Sequence, residues 1–309
     1  MQTIPKISHR RVVALPRGLA RRPEPSERRE YVLAGVALLL LLLAWLAPPL
    51  AQPLHYHDFA DQRAWGPLPH AMDVLSNLPF VLWAAAGGWA LLRAARVRAV
   101  NGAAVALAGL FFGGLMLTAV VSTAYHLHPA DAGLAWDRAG MVFAFAGLLG
   151  LGALQSVSNR AGLALAAAVL VLGPLSVAVW SSSGNVLPWA VLQFGGMALI
   201  VAFACFPVAR AARQLPIRWM LVIGIYALAK LLELGDHAIF EWSGHWVSGH
   251  SLKHVVAACA AWPVVSALLA ARKFSAESGA ASRTGWAAGR ASRPSGQTRR
   301  TTTEKRSQA

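Results

Sequence analysis

Long apolar runs alternate with short polar separators along this chain, at 31-50, 73-93, 102-125, 138-156, 161-180, 187-209, 217-236 and 250-271. Each is long enough to cross about 30 Å of hydrocarbon at about 1.5 Å per residue. The separators carry Arg clusters, Pro, or Gly, Ser and Asn, the residues that end helices. The pattern predicts an all-α membrane protein, a seven-transmembrane-helix core over 51-271 with one additional N-terminal transmembrane helix at 31-50. That first run is longer than a signal-peptide core, and the Pro-Pro-Leu-Ala-Gln stretch after it lacks small residues at both cleavage positions. It reads as an uncleaved anchor. Residues 1-30 and 272-309 are rich in Arg, Ser, Thr and Gly, have too little apolar surface to fold alone, and are expected to be disordered basic tails.

Composition agrees, with 56% hydrophobic and 13% charged residues, which excludes an ordinary soluble domain. A net charge of +15 would suggest nucleic acid in a soluble protein, but here the basic residues sit in the tails and between apolar runs. No nucleic-acid partner is expected, and no obligate protein partner is evident. Of 28 Lys and Arg residues, 24 fall on the side of the two termini; Arg63, Arg138, Lys230 and Lys253 make up the rest. The positive-inside rule then puts both termini in the cytoplasm. Apart from His9, every histidine falls in outer loops or at outer helix ends. Cys205 and Cys259 lie inside apolar runs and form neither a disulfide framework nor a metal knuckle.

In GHSLKH, His250 and His254 are four residues apart at the start of the last run and share one helical face. Such a pair can chelate a metal, although two histidines near a helix end also suit a membrane interface. The third run ends in VVSTAYHLHPAD, where Ser122 and His126 share a face and Pro129 marks the stop. His126 supplies a third ligand at the same depth; His128, a competing candidate, lies beyond the helix end. Three histidines leave tetrahedral Zn²⁺ one open position for water. Asp137 opens the fourth run, where it can cap the helix or pass a proton between water and a leaving amine.

Ser122-x3-His126, Asp137, and His250-x3-His254, together with SNLPF at 76-80, resemble the alkaline ceramidase family over residues 55-271. That family belongs to a wider seven-helix superfamily with the progestin and adipoQ receptors and the haemolysin III-like proteins. The resemblance implies that His126, His250 and His254 bind zinc, that Ser122 stabilises the carbonyl oxyanion, and that Asp137 shuttles protons. It implies hydrolysis of the amide bond of ceramide or a ceramide-like membrane lipid, giving a long-chain base and a fatty acid.

Eukaryotic members carry an acidic calcium site before the first core helix, whereas this chain has Asp58, Asp61 and Asp73 there and no glutamate. These carboxylates can supply Ca²⁺ ligands or belong to a solvated loop with a helix cap at Asp73. The seventh run holds Lys230, Glu233, Asp236 and His237, with Lys230 and Glu233 spaced to pair. This cluster can fix helix packing, form part of a substrate pocket together with Asn77, or relay protons. The composition suggests a bacterial inner membrane, with the site facing the periplasm. Two other readings share the sequence: a zinc-containing lipid receptor of the same superfamily, and a proton-coupled transporter.

Overall fold

The computed structural model describes residues 24–207 and 215–275. Most of both predicted tails, and Arg210 and Arg213 between the sixth and seventh runs, lie outside the described residues. Among the described residues the chain is all-α, with two isolated bridges and no strand.

Helix α1 is Pro25–Leu46 and begins six residues before the predicted run. Pro25 stands in its first turn, and the Glu24 backbone N–H donates to Glu27 Oε2 at 2.8 Å in a capping box, so residues 25-30 are helix and not tail. Helices α2 (Ala71–Leu75) and α3 (Leu78–Arg96) make one span with an offset at Ser76 and Asn77. Then follow α4 (Gly102–Leu127), α5 (Asp131–Ser156), α6 (Asn159–Ser183) and α7 (Leu187–Cys205). The predicted seventh run divides at Gly235 into α8 (Trp219–Leu234) and α9 (Asp236–Trp242). Helix α10 is Gly249–Ser275, with a 3-10 turn at Cys259–Ala261.

Among the described residues seven helices, α1 included, are long and apolar enough to cross a membrane. The 16 residues of α8 make it the shortest of the predicted spans, about 24 Å at 1.5 Å per residue. Alternating directions bring the start of α2, the end of α4 and the starts of α5 and α10 to one end of the bundle, the site end.

Helix α5 is central, with 72% of its apolar window buried. It lies against α4 with backbone nearly in contact: a Cβ on Gly114 would meet the Ala144 nitrogen at 2.2 Å. Small residues are what let membrane helices approach this closely, because lipid supplies no hydrophobic drive to press them together. The consequence is positional, since α4 carries Ser122 and His126 and α5 carries Asp137. At the other contact, a Cβ on Gly249 would meet the Leu232 carbonyl oxygen at 2.2 Å, so glycine also lets the start of α10 seat against α8.

Candidate metal centre

His126, His250 and His254 are buried, at 1%, 6% and 6% exposure, and one ligand atom of each lies within 4.8 Å of the others. Their ring centroids are 4.9, 5.0 and 4.9 Å apart. Nε2 of His250 is 3.3 Å from Nε2 of His126. Two nitrogens each about 2.0–2.1 Å from a tetrahedral zinc stand about 3.3–3.4 Å apart, so this spacing is compatible with two ligands of one such ion. His128, exposed beyond the end of α4, is not part of the group.

The surroundings decide which nitrogen of His254 faces inward. Ser76 Oγ donates its only proton to the Asp73 carbonyl at 2.8 Å, so toward His254 Nδ1, also at 2.8 Å, it can only accept. His254 therefore carries its proton on Nδ1 and turns a bare Nε2 to the group. This is the outer hydrogen bond that metal-ligating histidines characteristically make. Asp73 strengthens the same junction by accepting from Ser251 Oγ at 2.7 Å, and Ser248 caps α10 by accepting from the Ser251 backbone N–H at 3.0 Å. His126 Nδ1, by contrast, is buried without a partner.

Asp236 ties the loop before α2 over the cluster. One of its oxygens accepts from the His250 backbone N–H at 2.7 Å and the other from the Ala60 N–H at 3.0 Å. Phe59, next to Ala60, covers the imidazoles, with its ring centroid 4.2 Å from His250 and 4.9 Å from His126. His57 holds the same loop through Tyr125 Oη at 2.8 Å and Asp131 at 3.0 Å.

Ser122 is buried one turn before His126 on the same stripe of α4, and the Asp137 carboxyl of α5 is its electrostatic neighbour. Asp137 is not the helix cap that the apolar pattern allowed. Helix α5 starts directly after Pro129 and Ala130, the first-turn carboxylate is Asp131, and Asp137 lies in the second turn. Its Oδ1 is buried with no hydrogen-bond partner. Arg138 turns away, stacking over Trp180 at 4.2 Å and donating to Gln52 Oε1 at 2.7 Å. The Asp137 carboxyl thus stands beside Ser122 with one acceptor oxygen uncommitted.

Asp58, Asp61 and Asp73 do not assemble into an oxygen shell. Asp58 is exposed and pairs with His55 at 2.9 Å, while Asp73 is fully buried in the α2–α10 junction. Asp61 has Arg63 on both oxygens, at 2.8 and 2.6 Å. Burial opposes its charge, but the Arg63 side chain and backbone N–H outweigh that, and its pKa lies below the ordinary 3.8.

Asn77 is buried and bonds the Asp73 carbonyl at 2.9 Å, leaving its own Oδ1 unpartnered. Lys230 pairs with Glu233, as the spacing predicts, and Lys253 joins Glu233 from α10 at 2.6 Å. Asp236 and His237, close to that pair in sequence, separate from it: Asp236 clamps Ala60 and His250, and His237 lies 3.0 Å from the Asp58 carbonyl.

Sequence reasoning missed the positioning groups Phe59, Ser251 and Lys253, and the particular tasks of Ser76 and Asp236. Only Ser248, a helix-start serine three residues before Ser251, left a readable signal. Comparison with protein-family models, with curated proteins and with solved structures finds no match for this chain.

Proposed function

We propose that this chain is a zinc-dependent amidohydrolase of the alkaline ceramidase kind, cleaving the amide bond of ceramide or a ceramide-like lipid from within the membrane. The observation that carries the reading is the buried three-histidine group with a spacing compatible with two ligands of one zinc ion, set beside a serine and a carboxylate with an uncommitted oxygen. The residues fit zinc by donor type, spacing and the imposed tautomer of His254. Zinc held by His126, His250 and His254 supplies Lewis-acid polarisation of a carbonyl and activation of a water.

The chain's own residues do the rest. The Ser122 hydroxyl donates to the amide oxygen as negative charge gathers there. Asp137 accepts a proton from the attacking water on its free oxygen and returns it to the nitrogen as the C–N bond breaks, releasing amine and fatty acid. Phe59 and the loop behind it close the aqueous side over the imidazoles, which favours entry of an amphiphilic substrate from the bilayer. In this reading the site end faces the periplasm of a bacterial inner membrane, both termini are cytoplasmic, and the basic residues of the terminal side set that orientation.

The test is release of fatty acid from detergent-solubilised ceramide by wild type, His250→Ala and metal-stripped protein, with zinc measured on the same samples. Zinc-dependent release that disappears in His250→Ala is the expected result. Stoichiometric zinc with no release from several lipid amides would replace the enzyme by a zinc-containing lipid receptor. Well-folded protein that takes up no zinc would remove both.

A further inference from the structure

Beneath α1 lies a cavity of about 370 Å³ that the hydrolase reading does not use. Its walls are Leu40 and Leu41 of α1, Leu165 and Leu172 of α6, and Leu192 and Gly196 of α7, among other apolar side chains. Its one hydroxyl, on Ser176, donates to the Gly173 carbonyl at 2.6 Å within α6. Water needs two or more polar partners to stay in such a space, and the lining is overwhelmingly apolar, with Trp45 and Ser176 carrying its side-chain polar atoms.

Helix α1 is attached by its ends. At the far end Arg29 donates to the Ser156 carbonyl at 2.8 Å, and Ser158 donates to Glu30 at 2.5 Å. At the site end the Leu50 N–H donates to Asn185 Oδ1 at 3.0 Å, and the Val186 N–H donates to the Leu50 carbonyl at 2.8 Å. Between these fixed points Leu40 rests on Gly195, where a Cβ would meet it at 3.0 Å, and no α1 residue is buried. Held at both ends and seated on α7 through Leu40, α1 bridges the hollow beside that seat.

We propose that this half-open cavity holds one acyl chain of a bilayer lipid and that α1 is the strap laid across it. Shape and depth agree. The α6 wall from Leu165 to Val179 runs about 21 Å at 1.5 Å per residue, the reach of a long fatty chain. The walls are parts of membrane-spanning helices, so hydrocarbon is the surrounding solvent and the available occupant. The inference is independent of the metal centre.

The experiment is native mass spectrometry of the full-length protein supplied with palmitoyl-oleoyl phosphatidylethanolamine, at activation energies that strip loosely held lipid. Ala168→Trp and Gly196→Leu fill the cavity from α6 and α7, while Leu163→Trp adds bulk on an exposed face of α6. One lipid retained per chain by wild type and Leu163→Trp, and lost from both filled variants at unchanged melting temperature, is the expected result. Should one filled variant fail to fold, the other carries the comparison. Equal retention by all variants, no retention by wild type, or a lipid-free dimer of the chain would overturn the proposal.

Discussion

Helices α1 and α5 are both apolar enough to cross a membrane, yet none of the α1 window is buried and 72% of the α5 window is. The difference lies in side-chain size. Helix α1 is dominated by leucine over 38-43, whereas α5 has glycine at 140, 147, 150 and 152. In lipid a leucine surface gains little from a neighbour, while a small-residue surface lets backbones close and polar groups meet. The Leu-rich helix therefore attaches through its polar ends, and the Gly-rich helix becomes the centre of the bundle. Chemistry collects around the second kind, because buried polar groups survive in a membrane only where other protein groups meet them.

This contrast can be broken most severely at the α4–α5 contact. Gly114→Leu should destabilise the protein by about 3 kcal/mol or more, since the added atoms meet backbone, whereas Gly35→Leu on α1, with nothing within 4 Å, should stay within about 0.5 kcal/mol. Thermal unfolding of the two variants in one detergent checks this, and equal effects would remove the distinction between the helices.

A sharper cut removes one function from α5 without disturbing its packing. Asp137→Asn should lower kcat for lipid-amide hydrolysis about 10²-fold or more while zinc content stays at the wild-type level. Loss of zinc together with activity would make Asp137 part of the metal shell instead of a proton carrier.

Smaller still is the contribution of the residue that orients a ligand. Ser76→Ala should weaken zinc affinity about 10- to 100-fold by freeing the His254 tautomer, and Ser76→Thr should restore most of it. Competition with a chelator measures both, and unchanged affinity in Ser76→Ala would show the hydrogen bond to be incidental.

The smallest effect lies in the loop that covers the site. The Asp61 pKa is depressed in the folded protein, so its pairing with Arg63 stabilises the fold above the ordinary pKa of 3.8, and that contribution is lost as pH falls below 3.8. Unfolding of wild type and Asp61→Asn should differ at pH 6 and converge as pH drops through that range. A constant difference across it would mean that the pair adds no charge-dependent stability.

Much of this was legible along the chain. Hydrophobic runs alone located the spans, because a bilayer demands about 20 apolar residues wherever a helix crosses it. Four-residue spacing put Ser122 with His126 and His250 with His254, because helical periodicity is local. Pairing of Lys230 with Glu233 was readable for the same reason. Three things were not. Helix starts at Pro25 and Asp131 depend on capping and on a proline break that hydropathy does not register. The division at Gly235 separates Asp236 and His237 from the charges beside them in sequence.

The sequence by itself determined the class of protein, the approximate places of its long apolar helices and the short list of side chains from which the candidate centre is drawn, since each depends on composition or on neighbours a few residues apart. Only the tertiary structure decided that His126 and not His128 joins His250, that Ser76 sets the proton on His254, that Asp58, Asp61 and Asp73 go separate ways, and that α1 straddles a cavity. Apart from Asp58 and Asp61, which pair locally with His55 and Arg63, those outcomes rest on contacts between residues more than a hundred positions apart, such as Ser76 with His254, and on the shapes of packed helices, neither of which a local pattern encodes.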